Sequence, residues 1–391
     1  MRVEQQRLWT RSFIVLMGVN LCSALSFYLI TVKITEFAVD AYAVPQSLGA
    51  MTVTVYVISA LLTRLFFGKR IDSWGVKRAL TIGAIINAIA MVLYLFPAGF
   101  VPLIVVRVVQ GFAFALTTGS AAAGAALIIP RNRYGEGIGY FSMMQALATG
   151  VGPFVAILLT NLFGGYTAMF AAAAIIGDIA AVGVPFVTIP QPDAEHLEAH
   201  HVHAHGISSL VQTAIVPLVS VLFLVYLGYS GILTFVTSYA DWRGLSDAVA
   251  LYFVVYAIVI LISRPPVGRR VDRKGENSTI YFCFAALVVG FIVLAFAVNG
   301  ALLLASAAFA GFGIGATQSI VQAVIARETP PSEMGRANST FFMSKDLGTG
   351  IGPILIGAMI PFIGYTGSYL FLAVMAALAA IVYHFAHGQH H

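Results

Sequence analysis

Apolar runs of bilayer-crossing length recur from one end of the chain to the other, separated by short polar breaks. Crossing the hydrocarbon core takes about 20 helical residues. Twelve runs reach or approach that length: 12–32, 44–66, 78–97, 100–127, 136–160, 165–187, 210–238, 246–264, 278–298, 301–325, 336–361 and 365–386. Several hold Gly or Pro mid-run, which membrane helices tolerate because neighbouring helices re-satisfy the backbone. A transmembrane β-barrel would instead show short segments alternating apolar and polar. The pattern predicts an all-α membrane protein of twelve transmembrane helices. The first run is long and ends without a small-residue cleavage site, so it is expected to stay as a span.

One polar stretch is long. TIPQPDAEHLEAHHVHAHGISS at 188–209 separates six spans from six, giving halves at 1–187 and 210–391 with this segment as their linker. The halves also resemble each other at a constant offset of 200. Arg64, Gly68, Arg70, Asp72 and Gly75 have counterparts at Arg264, Gly268, Arg270, Asp272 and Gly275. Gly111 pairs with Gly311, Pro130 with Pro330, and TGVGP at 149–153 with TGIGP at 349–353. Two homologous six-helix halves insert with the same polarity, because six is even. Such a parallel repeat is related by an axis along the membrane normal, and its central site lies between the halves.

Composition agrees with lipid as the main solvent: 59% of residues are hydrophobic and 9% charged, against roughly 25% charged in soluble domains. The charge, +5, distributes by topology. With the N-terminus cytoplasmic, 17 of the 21 Lys and Arg fall at cytoplasmic loops or helix ends. Only Lys33 and Arg243 are then expected at outer loops, while Arg107 and Lys345 sit within helices. Both termini are therefore expected inside, following the positive-inside rule, and the basic balance implies no nucleic-acid partner. Cys22 and Cys283 both fall inside spans, as small apolar residues rather than a disulfide.

GKRIDSWGVKR at 68–78, between the second and third spans, resembles the signature loop of the major facilitator superfamily, and its partial copy follows the eighth span. LIVVRVVQG at 103–111 resembles that family's fourth-helix motif, with Arg107, Gln110 and Gly111 at the matching positions. Gly150, Gly152 and Pro153 resemble the fifth-helix motif of its proton-antiporting exporters, and Gly352 with Pro353 repeats it in the second half. The resemblance implies two pseudo-symmetric six-helix halves and transport by alternating access. It also implies a conformational latch at Gly68, Asp72, Gly75, Arg78, Gly268 and Asp272, the first copy being the fuller. By the residues alone, that loop also reads as a basic segment fixing topology. The Gly–Pro sets remove side chains and one backbone donor, so they read as a hinge where the fifth and eleventh helices can bend and approach a neighbour closely, and alternatively as ordinary small-residue packing.

Ionisable groups at membrane depth are costly and usually functional. Asp346 lies about 15 Å into the eleventh span at 1.5 Å per residue, with Lys345 beside it. Asp346 is expected either to carry a proton or a cationic group of substrate, or to form an internal ion pair. Lys345 is expected to hold an anionic group or to tune that carboxylate. Arg107 is linked to proton coupling by the resemblance, and by the residues alone it also reads as a hydrogen-bond donor to carbonyls of adjacent helices. Asp178, in the sixth span, is expected to turn inward from lipid, either to take part in proton coupling or substrate binding or to support the bundle. Asn20, Tyr28, Tyr226, Tyr229, Gln318 and Gln322 fall on spans that line the family's cavity, where each reads as a substrate contact or an interhelical hydrogen bond. Glu36 and Asp40 read as solvated charge at the outer mouth. The five linker histidines lack the fixed geometry of a structural site, so no metal is assigned.

No GxxxxGK[ST] loop is present, which argues against ATP hydrolysis. No nucleophile–base set that would suggest an enzyme stands out either. The expected protein is a secondary transporter without cofactor, driven by a proton gradient. Its partners are a small-molecule substrate, protons and the lipid bilayer, and it is expected to be a monomer in a bacterial inner membrane. Export of an amphipathic or zwitterionic molecule is the preferred reading. Uptake or uniport of a metabolite, and a non-transporting membrane sensor, are the alternatives.

Overall fold

Helix ends follow local chemistry. α1 (Arg11–Tyr42) starts where Thr10 Oγ1 accepts the Phe13 backbone N–H at 3.2 Å, and it stops at Ala43, whose φ is +51°. Pro45 then leads into α2 (Gln46–Trp74). The computed structural model describes residues 8–96, 98–130, 133–190, 212–329 and 334–388, and among these regular structure is helical with no strand. The remaining first-half helices are α3 (Val76–Leu93), α4 (Phe100–Ile128), α5 (Tyr134–Phe163) and α6 (Thr167–Gly183). The second half holds α7 (Val216–Arg243), α8 (Ser246–Lys274), α9 (Glu276–Ala295), α10 (Gly300–Glu328) and α11 (Met334–Tyr383). Among the described residues, eleven helices are long and apolar enough to cross a membrane.

The last of them is too long to cross once. Fifty residues extend about 75 Å at 1.5 Å each, more than twice the hydrocarbon thickness. At Gly364 the backbone leaves helical geometry (φ 66°, ψ −179°), and two helices join there. The break falls between the eleventh and twelfth expected spans.

A second difference concerns the repeated motif. The sequence pattern ends the second span near 66, yet α2 continues to Trp74, and α8 likewise continues to Lys274. The motif is helix up to a one-residue turn, made by Gly75 (φ 87°) in one half and Gly275 (φ 74°) in the other. Positive φ is cheap only without a Cβ. Charged residues end a hydropathy run but do not end a helix. The surroundings of Gly68 and the side chains of Asp72 and Asp272 lie outside those described, as do linker residues 191–209.

Several helix ends share one face, here called the terminal face. Lys77 donates to the carbonyls of Val184 and Val187, and the Thr188 N–H donates to Ser12 Oγ at 3.0 Å. Around the bundle, Ile85 and Ile89 of α3, Ile175 and Ile179 of α6 and Phe282 of α9 stand exposed. Such a belt is stable in lipid and an aggregation liability in water.

The halves meet through small residues, as membrane helices do where burial alone gives no drive. A Cβ on Gly150 of α5 would lie 2.0 Å from Ala257 Cβ of α8, and one on Gly350 of α11 would lie 3.1 Å from Val57 of α2. These two contacts are the same contact shifted by 200 residues. Within the halves, Gly111 against the Tyr56 carbonyl and Gly311 against the Tyr256 carbonyl repeat in the same way.

Contact between the halves is concentrated away from the terminal face. Gln46 Nε2 donates to Tyr365 Oη at 2.8 Å, and Ser238 Oγ to Glu36 Oε1 at 3.0 Å. Residues 29–35 of α1 and 225–237 of α7 are buried without interruption, so both helices are enclosed on every side there. Toward the terminal face burial becomes one-sided, with Arg11, Ile14, Val216 and Pro217 exposed. The bundle is thus closed at the far face and parted toward the terminal face. Glu36 is accordingly not the solvated loop charge the sequence suggests. It is held within α1 by Lys33 and Ser238, because α1 runs about three turns beyond its apolar run. Asp40 is exposed and accepts from Tyr166 Oη at 2.5 Å. Burial, and then this carboxylate, holds the Tyr166 hydroxyl well above the ordinary tyrosine range.

Candidate functional site

Where the halves part, a small cavity lies between α1, α5, α7, α8, α10 and α11. It encloses about 30 Å³, room for one or two waters. Its wall is aromatic on one side, with Tyr28, Tyr226, Tyr229 and Tyr256. Tyr229 stacks on Tyr256 at 5.9 Å and meets Tyr226 edge-on at 5.6 Å. Tyr226 Oη donates to Gln318 Oε1. Gln145, Thr149, Arg264 and Lys345 also line the cavity.

Lys345 Nζ lies 4.7 Å from the Tyr226 ring centroid and 5.5 Å from those of Phe341 and Phe342. Rings stabilise a desolvated ammonium through their quadrupoles, and no carboxylate lies within ion-pair distance of Lys345 among the described residues. Asp346 points elsewhere, as adjacent helical residues diverge by about 100°. Its Oδ2 is 2.9 Å from Nε of Arg64, on α2 of the other half. The approach is an ion pair by distance, with the N–H off the line of a good hydrogen bond. Arg64 also donates to Thr118 Oγ1 at 3.3 Å and lies over the Phe342 ring at 5.5 Å. One charge pair thus joins α2 to α11 beside the cavity.

Arg107 lies apart from this cavity, wholly buried in the first half. Its Nη1 donates to Gln110 Oε1 at 3.0 Å, Tyr94 Oη donates to the same oxygen, and the guanidinium lies over the rings of Tyr56 and Tyr94 at 5.5 and 5.7 Å. Two of its nitrogens, Nε and Nη2, have no hydrogen-bond partner. Asn20 donates to the Phe141 carbonyl at 3.3 Å and ties α1 to α5. Gln322 is half-buried and outside the cavity wall.

Asp178 departs from expectation: it is exposed on α6 rather than turned inward. α6 packs on α3 through Gly177, where a Cβ would meet Met91 at 2.9 Å, and the next residue is rotated about 100° outward. Among the motif residues, Gly75, Arg78 and Gly268 are exposed. Gly152 packs against Tyr28 of α1 and Gly352 against Ser230 of α7, while Pro153 and Pro353 lie inside their helices.

Arg64 and Arg264 are the site residues that sequence reading missed. The apolar runs stop beside them, so both pass as helix-end charges, yet each lies about 15 Å inside the end of its helix at 1.5 Å per residue. The repeat carried the missing signal, since both belong to it and Arg64 sits opposite Asp346 of α11. A second polar cluster lies at the terminal face. There Glu276 receives Arg327 Nη2 at 2.6 Å and contacts His387 Nε2 at 3.2 Å. Glu276 holds the Arg327 guanidinium above its ordinary range through that bond. The arginine occupies the carboxylate that a metal would need, so the cluster reads as an ion-pair staple between α9, α10 and the chain end.

The profile described as Major Facilitator Superfamily matches residues 16–303 and 248–388. An uncharacterised MFS-type transporter of Methanocaldococcus jannaschii is 21% identical over 86% of this chain and 90% of its own. The staphylopine export protein of Staphylococcus aureus is 24% identical over 84% of both. Among solved structures, a POT family transporter in complex with a thioalcohol-conjugated peptide superposes with a TM-score of 0.80 at 14% identity, covering 97% of this chain and 96% of that one. A bacterial homolog of the lysosomal transporter Spinster, inward-facing and unoccupied, gives 0.74 at 14% identity, covering 96% of both.

Proposed function

This chain belongs to the Major Facilitator Superfamily, and from that premise we propose that it is a proton-coupled exporter of a small amphipathic or zwitterionic molecule. The observation that carries the reading is the Arg64–Asp346 pair, which joins the two halves beside the cavity. A proton taken up by Asp346 cancels one charge of the pair and weakens the tie between α2 and α11. Loss of the proton restores it. A titratable tie between two bodies is the simplest device that couples a proton gradient to their relative motion.

The export direction is supported by the relative named for staphylopine export and by Gly150, Gly152 and Pro153 on α5. The terminal face takes the cytoplasmic side on this reading, which the Lys and Arg excess of the loops there supports. On this reading the described conformation is closed to the outside and parted toward the cytoplasm of a bacterial inner membrane. Gly75 and Arg78, with Gly68, Asp72, Gly268 and Asp272, form the latch at the cytoplasmic edge. The protein works as a monomer, without cofactor and without an enzymatic step.

The test is proton movement in proteoliposomes, read by a pH-sensitive dye against cationic, zwitterionic and neutral compounds. Substrate-evoked proton flux opposite to substrate, absent in Asp346→Asn, is the expected result. Substrate movement without proton flux would replace export by antiport with uniport, and flux in the same direction would make the protein an importer.

A further inference from the structure

The 200-residue repeat lets a polar contact of one half be compared with the matching place in the other, and beside the cavity one such place is unfilled. Arg64 has its counterpart in Arg264, and Asp346, which Arg64 meets at 2.9 Å, has its counterpart in Ala146. Arg264 and Ala146 both line the cavity. Arg264 therefore stands where its twin is neutralised, with alanine at the position that matches the carboxylate. Its Nε has no hydrogen-bond partner, and no ion pair to it exists among the described residues. The position next to Ala146 repeats the asymmetry: Gln145 matches Lys345, which also lines the cavity and meets only rings.

The cavity wall thus carries two cations, Arg264 and Lys345, with no anion of its own, and the nearby Asp346 is already engaged by Arg64. Uncompensated cations in a desolvated wall are unfavourable until an anion arrives. A guanidinium matches a carboxylate by its fork of donors, and the ammonium adds a point charge. Tyr28, Tyr226, Tyr229 and Tyr256 supply an aromatic surface for the rest of the molecule.

We propose that Arg264 and Lys345 bind the carboxylate of an amphipathic organic acid, which takes the place that an acidic side chain at position 146 would fill by symmetry. This deepens the transporter reading and rests on it: the substrate class is an organic anion with an aromatic or apolar body. The cavity of about 30 Å³ admits it only after the halves part further.

Equilibrium binding to the purified full-length protein in detergent tests this without a gradient, so failure of proton coupling would leave the outcome readable. The probe is radiolabelled 3-phenylpropionate, competed by unlabelled acid, 3-phenylpropionamide and 3-phenylpropylamine, which share a body and differ in charge. The acid should compete at least tenfold better than the amide or the amine. Arg264→Gln and Ala146→Asp should each weaken acid binding tenfold or more, and Arg264→Lys should recover part of the loss. Ala146→Asp should also melt no lower than the parent, because it completes the second ion pair. No saturable binding of the acid, equal competition by acid and amide, tightest binding of the amine, or indifference to both substitutions would each overturn the proposal.

Discussion

Arg64 and Asp346 are 16% and 22% exposed, so each charge is mostly withdrawn from water and compensated by the other. Removing one partner leaves the other uncompensated, at a cost of about 1–3 kcal/mol for a pair of this partial exposure. Arg64→Asp and Asp346→Arg should each lower the melting temperature, and the double reversal should recover at least half of the loss. Additive losses in the double variant would mean that the two residues do not act as a pair. Sequence reading found only one member of this pair. Asp346 stands out because it interrupts an apolar run, whereas Arg64 merely adjoins the end of one. Asp178 shows the opposite error: an acid inside a run invites an inward assignment, but only the packing of Gly177 on α3 reveals which way it faces.

At the level of single helices, existence was legible and extent was not. The runs predicted every described membrane helix, because about 20 apolar residues have few other uses. The charged ends of α2 and α8, and the outer end of α1 with its Lys33–Glu36 pair, lie beyond the hydropathy signal yet inside the helices. The paired Gly–Pro motif was legible as small-residue packing, and its partners came only with the fold. Gly352 is the tightest case, where a Cβ would lie 1.8 Å from Ser230 Oγ. Gly352→Ala should destabilise the protein by about 1–3 kcal/mol, the usual cost of overpacking. Adding Ser230→Ala should relieve part of that. Gly139→Ala, where no atom lies within 4 Å, should be neutral. Thermal melting of the three variants in detergent checks all of these, and equal effects of Gly352→Ala and Gly139→Ala would remove packing as the role of Gly352.

The whole molecule is two like bodies pressed together at one face. That closure is encoded in α7, whose residues 225–237 are buried all round. Single cysteines through that stretch, in a Cys22→Ser, Cys283→Ser background, should resist membrane-impermeant maleimides applied from the far face, while one at Pro217 should react from the terminal face. Labelling of the 225–237 series from the far face would mean that the closed arrangement is not the one populated. The matched contacts Gly150–Ala257 and Gly350–Val57 carry a mechanical consequence of their own. The repeat relates them, one on the α5–α8 seam and one on the α11–α2 seam, so under the proposed mechanism they would act as two bearings on a common axle. A rigid body pinned at two points keeps a single rotation. Under the alternating access proposed above, each half would tip about the line joining them, and any gap that opens at one face would be matched by an approach at the other.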